Sequence, residues 1–569
     1  MYTIGIDLGT TNSLVAVWME GRPIIIPNVF GKNLTPSIFS IDENNEVIVG
    51  EAAKERLITH PDCTASCFKR FMGTNKVYYL GGHNFSPEEL SSFVLRSLKE
   101  DAESFLGEAV TEAVISVPAY FNDKQRKATK KAAELAGFTV ERLINEPTAA
   151  AIAFGLNDPE QESKFMVFDL GGGTFDVSIL EMYDGVMEVH AIAGDNYLGG
   201  EDFTELIIEH FLNESSLKME DLTPKEHSSL YKKAETGKFA LVQKQNVVIK
   251  MPIKDTEVEV QITPEKYETL CLPLMRRFMK PIERALRDAS FGVKDIDNAL
   301  MIGGATRMPI FRNYVSKLIG KLPYVNINPD EAVALGTAIQ AAIKERNEAL
   351  KEIVLTDVCP YTLGVDILHR TAEGKYTMGH FSPIIERNTV VPVSRVERYV
   401  TVSDNQRTLL FEVFQGESRL TAENLKLGEV VVIVPCGKAG TEQADVRFTY
   451  DINGILEVEA TILSTGLRKR IVIEQNSGQM TNEEIEHHLD SIKNLKIHPR
   501  DQQINRLLLE RGNRLYEECL GEMRNYLSEL MSHFEDVLDG QNELEIRKEV
   551  TQLMENLNKL EGIKDDNEE

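Results

Sequence analysis

Residues 168–176 read Phe-Asp-Leu-Gly-Gly-Gly-Thr-Phe-Asp, and an apolar run lies on each side of them. Residues 6–12, Ile-Asp-Leu-Gly-Thr-Thr-Asn, repeat this arrangement close to the N-terminus. Apolar runs of strand length that are joined by a glycine-rich turn are typical of β-hairpins. The sequence therefore predicts two similar hairpins, each with an aspartate at the end of its first strand.

The two predicted turns have the chemistry of a phosphate site. A turn of this kind directs consecutive backbone N–H groups into a concavity that binds anions, and a glycine lets a phosphate approach the backbone closely. A single glycine-rich turn would be better explained as a turn alone. Two copies instead predict a duplicated lobe, in which two phosphate sites face each other across a cleft.

Three aspartates and a third segment extend this prediction. Asp7, Asp169 and Asp176 carry carboxylates that suit Mg²⁺, held mostly through water. Residues 299–309 predict a strand, a Gly-Gly turn and a helix start, which would place a nucleoside against the backbone and the Arg307 guanidinium. The pattern Gly-x-x-x-x-Gly-Lys-[Ser/Thr] does not occur in the sequence, which excludes a P-loop NTPase.

Length and charge limit the function classes. A chain of 569 residues predicts more than one domain, and its formal charge of −27 argues against nucleic acid and anionic membranes as partners. The chain starts directly with a predicted strand, has no apolar run that would span a bilayer and has six scattered cysteines, which together predict a cytoplasmic protein. The spacing of His60, Cys63 and Cys67 would suit a metal, but a fourth ligand is missing, so we interpret them as packing residues.

The first half of the chain predicts α/β architecture. A helix begins at Ser86-Pro-Glu-Glu89 with an N-cap serine and proline at N1. Residues 114–122 predict a buried strand that ends at Pro118, and an alanine-rich helix follows Glu146. Lys69 lies between aromatic residues, where a lysine is by default a surface residue. Strands and helices alternate from residue 164 to about residue 351, as in α/β folds.

The predicted secondary structure changes twice in the second half of the chain. Residues 351–358 form an apolar connection, whereas a passive spacer would contain Gly, Ser or Pro, so we expect it to dock. Residues 359–477 predict a β-sandwich, with the Asn-Gly pair of residues 453–454 as a hairpin turn. One strand face would hold Leu409, Phe411 and Val413, and the other would hold Leu410, Glu412 and Phe414.

The remaining residues predict helices. Thr481-Asn-Glu-Glu484 is a capping box. Beyond Pro499 an apolar stripe predicts an antiparallel helical bundle in preference to a coiled coil, because no strict heptad persists. The stripe consists of Leu508, Leu515, Met523, Tyr526, Leu530 and Phe534.

Five motifs carry a resemblance that covers essentially the whole chain. Residues 4–13, 117–122, 144–151, 168–176 and 328–332 resemble the signatures of the seventy-kilodalton heat-shock (Hsp70) chaperones, and within that family the chain is most similar to the HscC branch of DnaK-like proteins. The resemblance implies a multidomain protein. Its expected parts are an α/β actin-like ATPase domain of ribonuclease H-like duplicated lobes (1–350), a linker (351–358), an all-β sandwich peptide-binding domain (359–477), an α-helical lid (478–562) and an acidic tail (563–569).

The resemblance also implies roles for individual residues. Phosphate contacts would come from Gly9, Thr10, Thr11, Asn12, Gly171, Gly172, Gly173 and Thr174, and adenosine contacts from Glu235, Lys238, Gly303, Gly304, Arg307 and Asp330. Mg²⁺ and K⁺ would be organised by Asp7, Asp169 and Asp176. Catalysis of ATP hydrolysis to ADP would involve Lys69, Asp169, Thr174, Asp176 and Glu146, since phosphoryl transfer depends mainly on positioning and electrostatics.

Coupling and partners follow from the same resemblance. Pro118, Arg126 and Glu146, with Leu355 and Asp357 of the linker, would relay the nucleotide state to the sandwich. Val365, Val402, Leu409, Phe411 and Val413 would line or support a cleft for extended apolar segments of unfolded proteins. A J-domain co-chaperone is an expected partner of a monomeric protein, through a contact region at Arg142, Asn145 and Asp357.

Some positions depart from the family pattern. Val242 replaces a serine beside the adenosine, Thr356 replaces a leucine in the linker, and a longer loop occupies residues 366–381 beside the cleft. A shortened segment at residues 243–263 leaves open whether a nucleotide-exchange factor is needed. Two alternatives to an ATP-driven chaperone are a small-molecule kinase of the same superfold and an ATP-binding holdase or exchange factor without productive hydrolysis.

Overall fold

The computed structural model describes most of the chain. The described residues are 2–155, 163–183, 186–243, 245–253, 256–323, 327–344, 354–355, 357–370, 376–391, 393–450, 456–473, 503–519, 521–539 and 543–561. The Asn-Gly turn at 453–454, the capping box at 481–484, the acidic tail and residues 371–375 of the longer loop lie outside this part of the chain.

The first α/β unit, here lobe A, contains residues 2–145. Its strands are β1 (Thr3–Asp7), β2 (Asn12–Met19), β3 (Arg22–Ile26), β4 (Thr35–Pro36), β5 (Ile38–Ile41), β6 (Val47–Val49), β7 (Thr64–Ser66), β8 (Tyr78–Leu80), β9 (His83–Phe85), β10 (Glu112–Val117) and β11 (Thr139–Asn145). Its helices are α1 (Glu51–Thr59), α2 (Pro87–Leu106) and α3 (Asp123–Leu135), with short 3₁₀ turns at Pro61–Cys63 and Phe68–Phe71. The main sheet has the order β11-β10-β1-β2-β3, in which β10 runs parallel to β1.

Helix α2 illustrates how local sequence sets these elements. Ser86 accepts a hydrogen bond from the Glu89 N–H at 3.2 Å, and the Glu89 carboxylate accepts one from the Ser86 N–H at 2.7 Å. This reciprocal pair satisfies two backbone donors that a helix start leaves free. The predicted start of the helix is confirmed.

Helix α4 (Glu146–Gly155) leads to the second α/β unit, here lobe B, which contains the described part of residues 163–323. Its strands are β12 (Ser163–Leu170), β13 (Phe175–Tyr183), β14 (Val186–Asp195), β15 (Val247–Ile253), β16 (Thr256–Ile262) and β17 (Asn298–Ile302). Its helices are α5 (Gly200–Glu214), α6 (Pro224–Val242), α7 (Pro264–Asp288) and α8 (Pro309–Ile319), with 3₁₀ turns at Met219–Asp221, Val293–Asp295 and Gly304–Arg307.

The main sheets of the two lobes share a plan. In lobe B an antiparallel meander, β12-β13-β14, has the parallel strand β17 beside its first strand, as β10 lies beside β1 in lobe A. Helix α9 (Ala332–Lys344) packs on the lobe A sheet and on α4, and α4 also packs on the lobe B sheet. A Cβ on Gly336 of α9 would lie 1.7 Å from the Ala149 carbonyl oxygen, so a glycine is needed where these two helices cross.

The connection after α9 is strand-like and docked. β18 (Val354–Leu355) pairs in parallel with β14 through Val186 and Met187, which extends the lobe B sheet. β19 (Asp357–Val358) pairs with β22 (Val390–Val391) of the next unit. The expected docking of this apolar segment is therefore present in the described residues.

An all-β unit follows, with its core between two four-stranded sheets. Its other strands are β20 (Leu363–Arg370), β21 (Tyr376–Ile385), β23 (Val393–Val400), β24 (Thr408–Gln415), β25 (Leu425–Ile433), β26 (Gln443–Tyr450), β27 (Leu456–Ile462) and β28 (Arg468–Ile473). The sheet orders are β21-β20-β24-β25 and β23-β26-β27-β28. We call this unit the sandwich.

One predicted face of β24 needs correction. Leu409, Phe411 and Val413 point into the core as expected, and Leu410 is exposed. Phe414, which we expected beside Leu410 and Glu412, is buried. The reason is a register shift between Val413 and Phe414 opposite β25, which breaks the period-2 alternation.

Three helices complete the described chain: α10 (Gln503–Glu518), α11 (Glu522–Asp539) and α12 (Glu543–Glu561). They pack around Leu508, Leu515, Phe534 and their neighbours. The prediction that Met523 and Tyr526 belong to this apolar stripe is wrong, because both are 46% exposed and Leu527 takes the core position. Gly521 has a φ of 66° and separates α10 from α11, so the helical phase restarts there.

Candidate nucleotide site

A cavity of about 450 Å³ lies between lobe A and lobe B, where the two glycine-rich turns meet. The predicted residues that line it are Asp7, Gly9, Thr10, Thr11, Asn12, Lys69, Glu146, Asp169, Gly171, Gly172, Thr174, Glu235, Lys238, Gly303, Gly304, Arg307 and Asp330. Residues that are far apart in the sequence thus meet in one place, and the predicted cleft is confirmed as a geometric feature.

The turns face each other directly across this cavity. A Cβ on Gly172 would lie 1.8 Å from Thr11 Oγ1, and a Cβ on Gly173 would lie 2.7 Å from Thr10 Cγ2. No side chain fits between the turns at these positions. Glycine is therefore required there by the opposite lobe, in addition to the shape of the turn itself.

Lobe A holds its own turn with buried hydroxyl groups. The Gly9 N–H donates to Ser13 Oγ at 3.2 Å, and Ser37 Oγ donates to the Gly9 carbonyl oxygen at 2.8 Å. The two serine hydroxyls are 2.9 Å apart, and the Ser37 N–H donates to the Thr11 carbonyl oxygen. Every group in this network belongs to lobe A.

The turn of lobe B is held from two sides. The Gly200 and Glu201 N–H groups at the start of α5 donate to the carbonyl oxygens of Gly171 and Gly172 at 2.9 and 2.8 Å. From lobe A, Arg70 Nε donates to the Gly173 carbonyl oxygen at 3.1 Å, and Arg70 Nη2 donates to Asp202 at 2.7 Å. The second turn therefore depends on the position of the first lobe.

Asp7, Glu146, Asp169 and Lys69 line one part of the cavity, whereas Asp176, which we also predicted as a site residue, is buried and does not line it. Lys69 Nζ lies 2.7 Å from Glu146 Oε1, and both side chains are buried. Asp7 accepts a hydrogen bond from Ser116 Oγ at 2.9 Å, and Asp176 accepts one from the Ala119 N–H at 3.2 Å. Lys69 is therefore a site residue, in contrast to its default interpretation as a surface lysine.

The carboxyl groups repel one another in a water-poor setting. Burial, followed by the charge of Glu146, raises the pKa of Asp7 to about 7 and that of Asp176 to about 8. Burial and the charges of Glu146, Asp176 and Asp7 also raise the pKa of Asp169 well above its usual value. Because buried negative charge needs compensation, this arrangement favours a bound cation.

Mg²⁺ fits this set of donors. Asp169 Oδ2, Asp176 Oδ1 and Thr11 Oγ1 are buried and have no hydrogen-bond partner within the part of the chain that the structure describes. Among the described residues, no three His, Cys, Asp or Glu side chains converge closely enough to hold a metal ion directly. Unsatisfied carboxylate and hydroxyl oxygens without a direct set of three ligands suit an ion that keeps most of its waters, as Mg²⁺ prefers.

The other end of the cavity carries the residues that we expected around adenosine. Lys238 Nζ donates to the Gly200 carbonyl oxygen at 2.9 Å and to Thr204 Oγ1 at 2.8 Å, and burial lowers its pKa. Arg307 is half-exposed and pairs with Asp330 at 2.6 Å. Glu235 and Val242 also line this end, so an apolar side chain stands at the position where the family pattern has a serine.

Arg126 and Asp357 of the expected relay are joined through Asn145 by hydrogen bonds, whereas Glu146 of that relay bonds to Lys69. Arg126 donates to the Phe121 carbonyl oxygen at 3.0 Å and to Asn145 Oδ1 at 2.6 Å. Asn145 Nδ2 in turn donates to Asp357 Oδ2 at 3.0 Å. Pro118 follows the last residue of β10, and its carbonyl oxygen accepts the Phe121 N–H, so it shapes the turn on which Arg126 acts.

The expected peptide-binding residues lie elsewhere, in the sandwich. Val365, Leu409, Phe411 and Val413 are buried in its core, and Val402 is half-buried in the loop after β23. None of them lines the nucleotide cavity. Leu355 contributes its backbone to β18, beside Met187.

Sequence reasoning missed several residues around the cavity. Arg70 is next to Lys69 in sequence but gave no separate signal, because its partners are on the other lobe. Gly199 and Gly200 form a glycine pair before a helix, a signal that we did not use; a Cβ on Gly199 would lie 2.5 Å from the Gly172 backbone. Tyr231 and Cys67 also line the cavity.

Comparison with known proteins agrees with this geometry. The family model described as Hsp70 protein matches residues 3–79 and 75–569. The chaperone protein DnaK of Thermosipho melanesiensis is 43% identical over 487 residues, which cover 83% of this chain and 80% of that relative. In the described residues, no helix is both long enough and apolar enough to cross a membrane. The chain therefore belongs to the Hsp70 family of ATP-dependent chaperones.

Proposed function

We propose that ATP binds in the cavity between the lobes and that its binding sets the affinity of the sandwich for extended apolar segments of unfolded proteins. One observation carries this proposal. The strand β18 extends the sheet of lobe B, while Asp357, two residues later, is bonded to Asn145 of lobe A. A segment that contacts both lobes responds to the distance between them.

The turns would bind the phosphates. Backbone N–H groups of Gly9–Asn12 would contact the β- and γ-phosphates from one side, and those of Gly171–Thr174 from the other. Lys69 would orient the attacking water and stabilise charge on the γ-phosphoryl group, aided by Asp169 and Thr174. Asp7, Asp169 and Asp176 would hold hydrated Mg²⁺, which neutralises phosphate charge when bound, with K⁺ nearby. Glu235, Lys238, Gly303, Gly304, Arg307 and Asp330 would frame the adenosine.

The sandwich contacts the α/β part through matched polar groups. The Asp123 N–H donates to Gln415 at 3.0 Å, and the Ile192 N–H donates to Asn388 at 3.1 Å. Arg387 forms a two-pronged pair with Asp288 at 2.7 and 2.9 Å. Polar contacts of this kind can separate at low cost, because water replaces each partner. They suit an interface that forms and dissolves during a cycle.

The remaining assignments are proposals of the same kind. The helices α10–α12 would act as the lid, and Val365, Val402, Leu409, Phe411 and Val413 would line or support the peptide cleft. Main-chain hydrogen bonds would give a broad client range with an apolar preference. A J-domain co-chaperone would bind near Asn145 and Asp357. The domain boundaries, the HscC branch, the monomeric state and the cytoplasmic location stay predictions from the sequence.

Release of a labelled apolar peptide tests the coupling. We expect ATP to accelerate release from the full chain by at least about tenfold, since peptide and ATP must favour opposite states. The substitution Asp357→Asn should reduce that acceleration, because it removes the carboxylate that accepts the Asn145 hydrogen bond and attracts the Arg126 charge. A matched control is Asp445→Asn, whose carboxylate pairs with Arg398 on the exposed face of the sandwich.

The outcomes separate the hypotheses. If ATP leaves peptide release unchanged in the unmodified chain, the proposed coupling is wrong. If ATP accelerates release but no hydrolysis follows in single-turnover assays, the holdase alternative is correct. Phosphorylation of a small acceptor by ATP would instead favour the kinase. The family to which the chain belongs supports the ATP-dependent chaperone over both the holdase and the kinase.

A further inference from the structure

Helix α10 contacts both walls of the nucleotide cleft. It packs along α1 of lobe A, where Arg56 donates to Glu510 at 2.5 Å and Thr59 donates to the same carboxylate at 3.3 Å. Its C-terminal end reaches lobe B, where Glu517 lies 3.1 Å from Lys225 at the start of α6. One helix of the C-terminal part therefore spans the gap between the lobes.

Glu55 of α1 is the centre of this contact. Its Oε2 atom lies 2.5 Å from Arg514 of α10 and 3.3 Å from Lys232 of α6. The Glu55 and Arg514 side chains are mostly buried. Burial acts to raise the pKa of Glu55, but the charges of Lys232 and Arg514 outweigh it and hold that pKa below its usual value. One carboxylate thus joins lobe A, lobe B and the helical part.

Carboxylates outnumber cations around Glu55. Arg514 and Lys232 repel each other, but Glu518 lies 3.2 Å from Arg514 and lines a surface cavity together with Lys232. Glu561 of α12 also pairs with Arg514. Three carboxylates therefore surround two cations, so that Arg514 holds the Glu55 carboxylate toward Lys232 instead of competing with Lys232 for it.

The junction lies beside the nucleotide cavity. Lys54 and Leu57 of α1 line one side of the cavity, and Tyr231 and Glu235 of α6 line the other. Lys232 follows Tyr231 directly. Separation of α1 from α6 would open the cavity on this side, and that movement would break the contact between Glu55 and Lys232.

We propose that docked helix α10 is a brake on nucleotide release, in which Arg514 holds Glu55 of lobe A against Lys232 of lobe B. The inference rests on the proposed function, because it assumes that ATP occupies the cavity while the helical part is docked. It adds a regulatory contact to that function: the docked helix slows nucleotide exchange. Undocking of α10 would then remove the brake at the stage of the cycle in which ADP must leave.

Dissociation of a fluorescent ATP analogue from the full chain, chased with unlabelled ATP, tests the brake. The substitution Arg514→Gln should raise the dissociation rate by at least about tenfold, the change that loss of one charge-assisted hydrogen bond implies. The matched control is Arg511→Gln: Arg511 also pairs with Glu561, at 2.5 Å, but its contacts with Asn558 and Glu561 both lie within the helical part. The control should release the analogue at the unmodified rate.

A double substitution tests the route through Glu55. If Arg514 acts by holding Glu55 against Lys232, Arg514→Gln should add nothing to the rate of a Lys232→Gln chain. Thermal unfolding of each variant shows whether it is folded. Equal dissociation rates for folded Arg514→Gln and unmodified chains would overturn the brake, and additive effects of Arg514→Gln and Lys232→Gln would overturn its route.

The result is separable from the proposed function. A chain that does not bind the ATP analogue contradicts the proposed function itself. A chain that binds ATP and releases peptide faster with ATP, but whose nucleotide release ignores Arg514, contradicts the brake alone.

Discussion

The two glycine-rich turns look alike in sequence, but the structure supports them differently. The turn at residues 9–12 is held by Ser13 and Ser37 of its own lobe. The turn at residues 171–174 is held by the start of α5 and by Arg70 of the opposite lobe. The first turn is therefore complete within lobe A, whereas the second reaches its full set of contacts only when the lobes are close. Closure of the cleft should therefore change the contacts of the second turn more than those of the first.

The largest effect should come from a residue of lobe A that acts across the cleft. Lys69→Ala should lower ATP hydrolysis by about 10²- to 10³-fold, because it removes a buried cation beside the phosphates. ATP binding should persist, since the backbone N–H groups of both turns remain. Single-turnover hydrolysis and nucleotide affinity measure the two effects, with Lys99→Ala, outside the cavity lining, as the control. Unchanged hydrolysis would remove Lys69 from the catalytic set.

Gly172→Ala tests whether the second turn must meet the first. The added methyl would overlap Thr11 Oγ1 across the cleft, so the lobes could not close and hydrolysis should fall by about 10²-fold. The matched control is the double substitution Gly172→Ala with Thr11→Ala, which removes the Oγ1 atom that the added methyl would overlap and should restore part of the activity. Hydrolysis by Gly172→Ala at the unmodified rate would show that the turns do not approach each other in the working protein.

Arg70→Gln tests the dependence of the second turn on lobe A. Loss of the bonds to the Gly173 carbonyl oxygen and to Asp202 should weaken ATP affinity by about fivefold to tenfold. The free energy of unfolding should change little, because the contact joins two lobes that each have their own core. Calorimetric titration measures the ATP affinity, and denaturant unfolding measures the free energy of unfolding. A large loss of stability with normal ATP affinity would show that Arg70 supports the fold and not the second turn.

Ser37→Ala should show the opposite pattern. The Ser37 hydroxyl is buried and bonds to Gly9 and Ser13 within one lobe. Its loss should lower the free energy of unfolding by about 1–2 kcal/mol and change ATP affinity less than Arg70→Gln does. The same two measurements apply. If Ser37→Ala weakens ATP binding more than Arg70→Gln, the first turn is not the self-sufficient one.

The smallest effect concerns pH and the charges shared by the two turns. Asp7 and Asp176 have folded-state pKa values of about 7 and about 8, above the ordinary 3.8. At pH values between the ordinary pKa and the raised folded-state pKa, the folded state binds more protons than the unfolded state. The stability of the nucleotide-free protein should therefore fall as pH rises from about 5 to 8. Asp7→Asn and added Mg²⁺ should each flatten that slope in thermal unfolding. A stability that rises over this pH range would contradict the repulsion.

Local signals account for the elements that the sequence predicted well. The two hairpins and the start of α2 depend on neighbours a few residues apart, namely period-2 apolar residues, glycine turns and the Ser86–Glu89 capping pair. Such interactions are present in the sequence itself. The stripe that we extended through Met523 and Tyr526 failed because a single glycine, Gly521, resets the helical phase.

Distant pairings account for the rest. Nothing near Lys69 in the sequence indicates that it lies against Glu146, and nothing near Arg70 points to Gly173. The contact of Arg514 with Glu55 joins residues from opposite ends of the chain. In the sequence, each of these residues resembles an ordinary charged surface residue. Only the fold shows that it is paired with a distant partner.

Local residue patterns were enough to predict the two turns, the alternation of strands and helices, and the residue types that favour a phosphate and its metal ion. The fold was needed to show which lobe supports which turn, which strand of lobe B pairs with the segment after α9, and that α10 lies across the cleft. The two kinds of feature differ in the sequence separation over which their interactions act. Backbone conformation and apolar periodicity depend on residues that are close in sequence. The partner of a buried charge depends instead on every element that removes water around it.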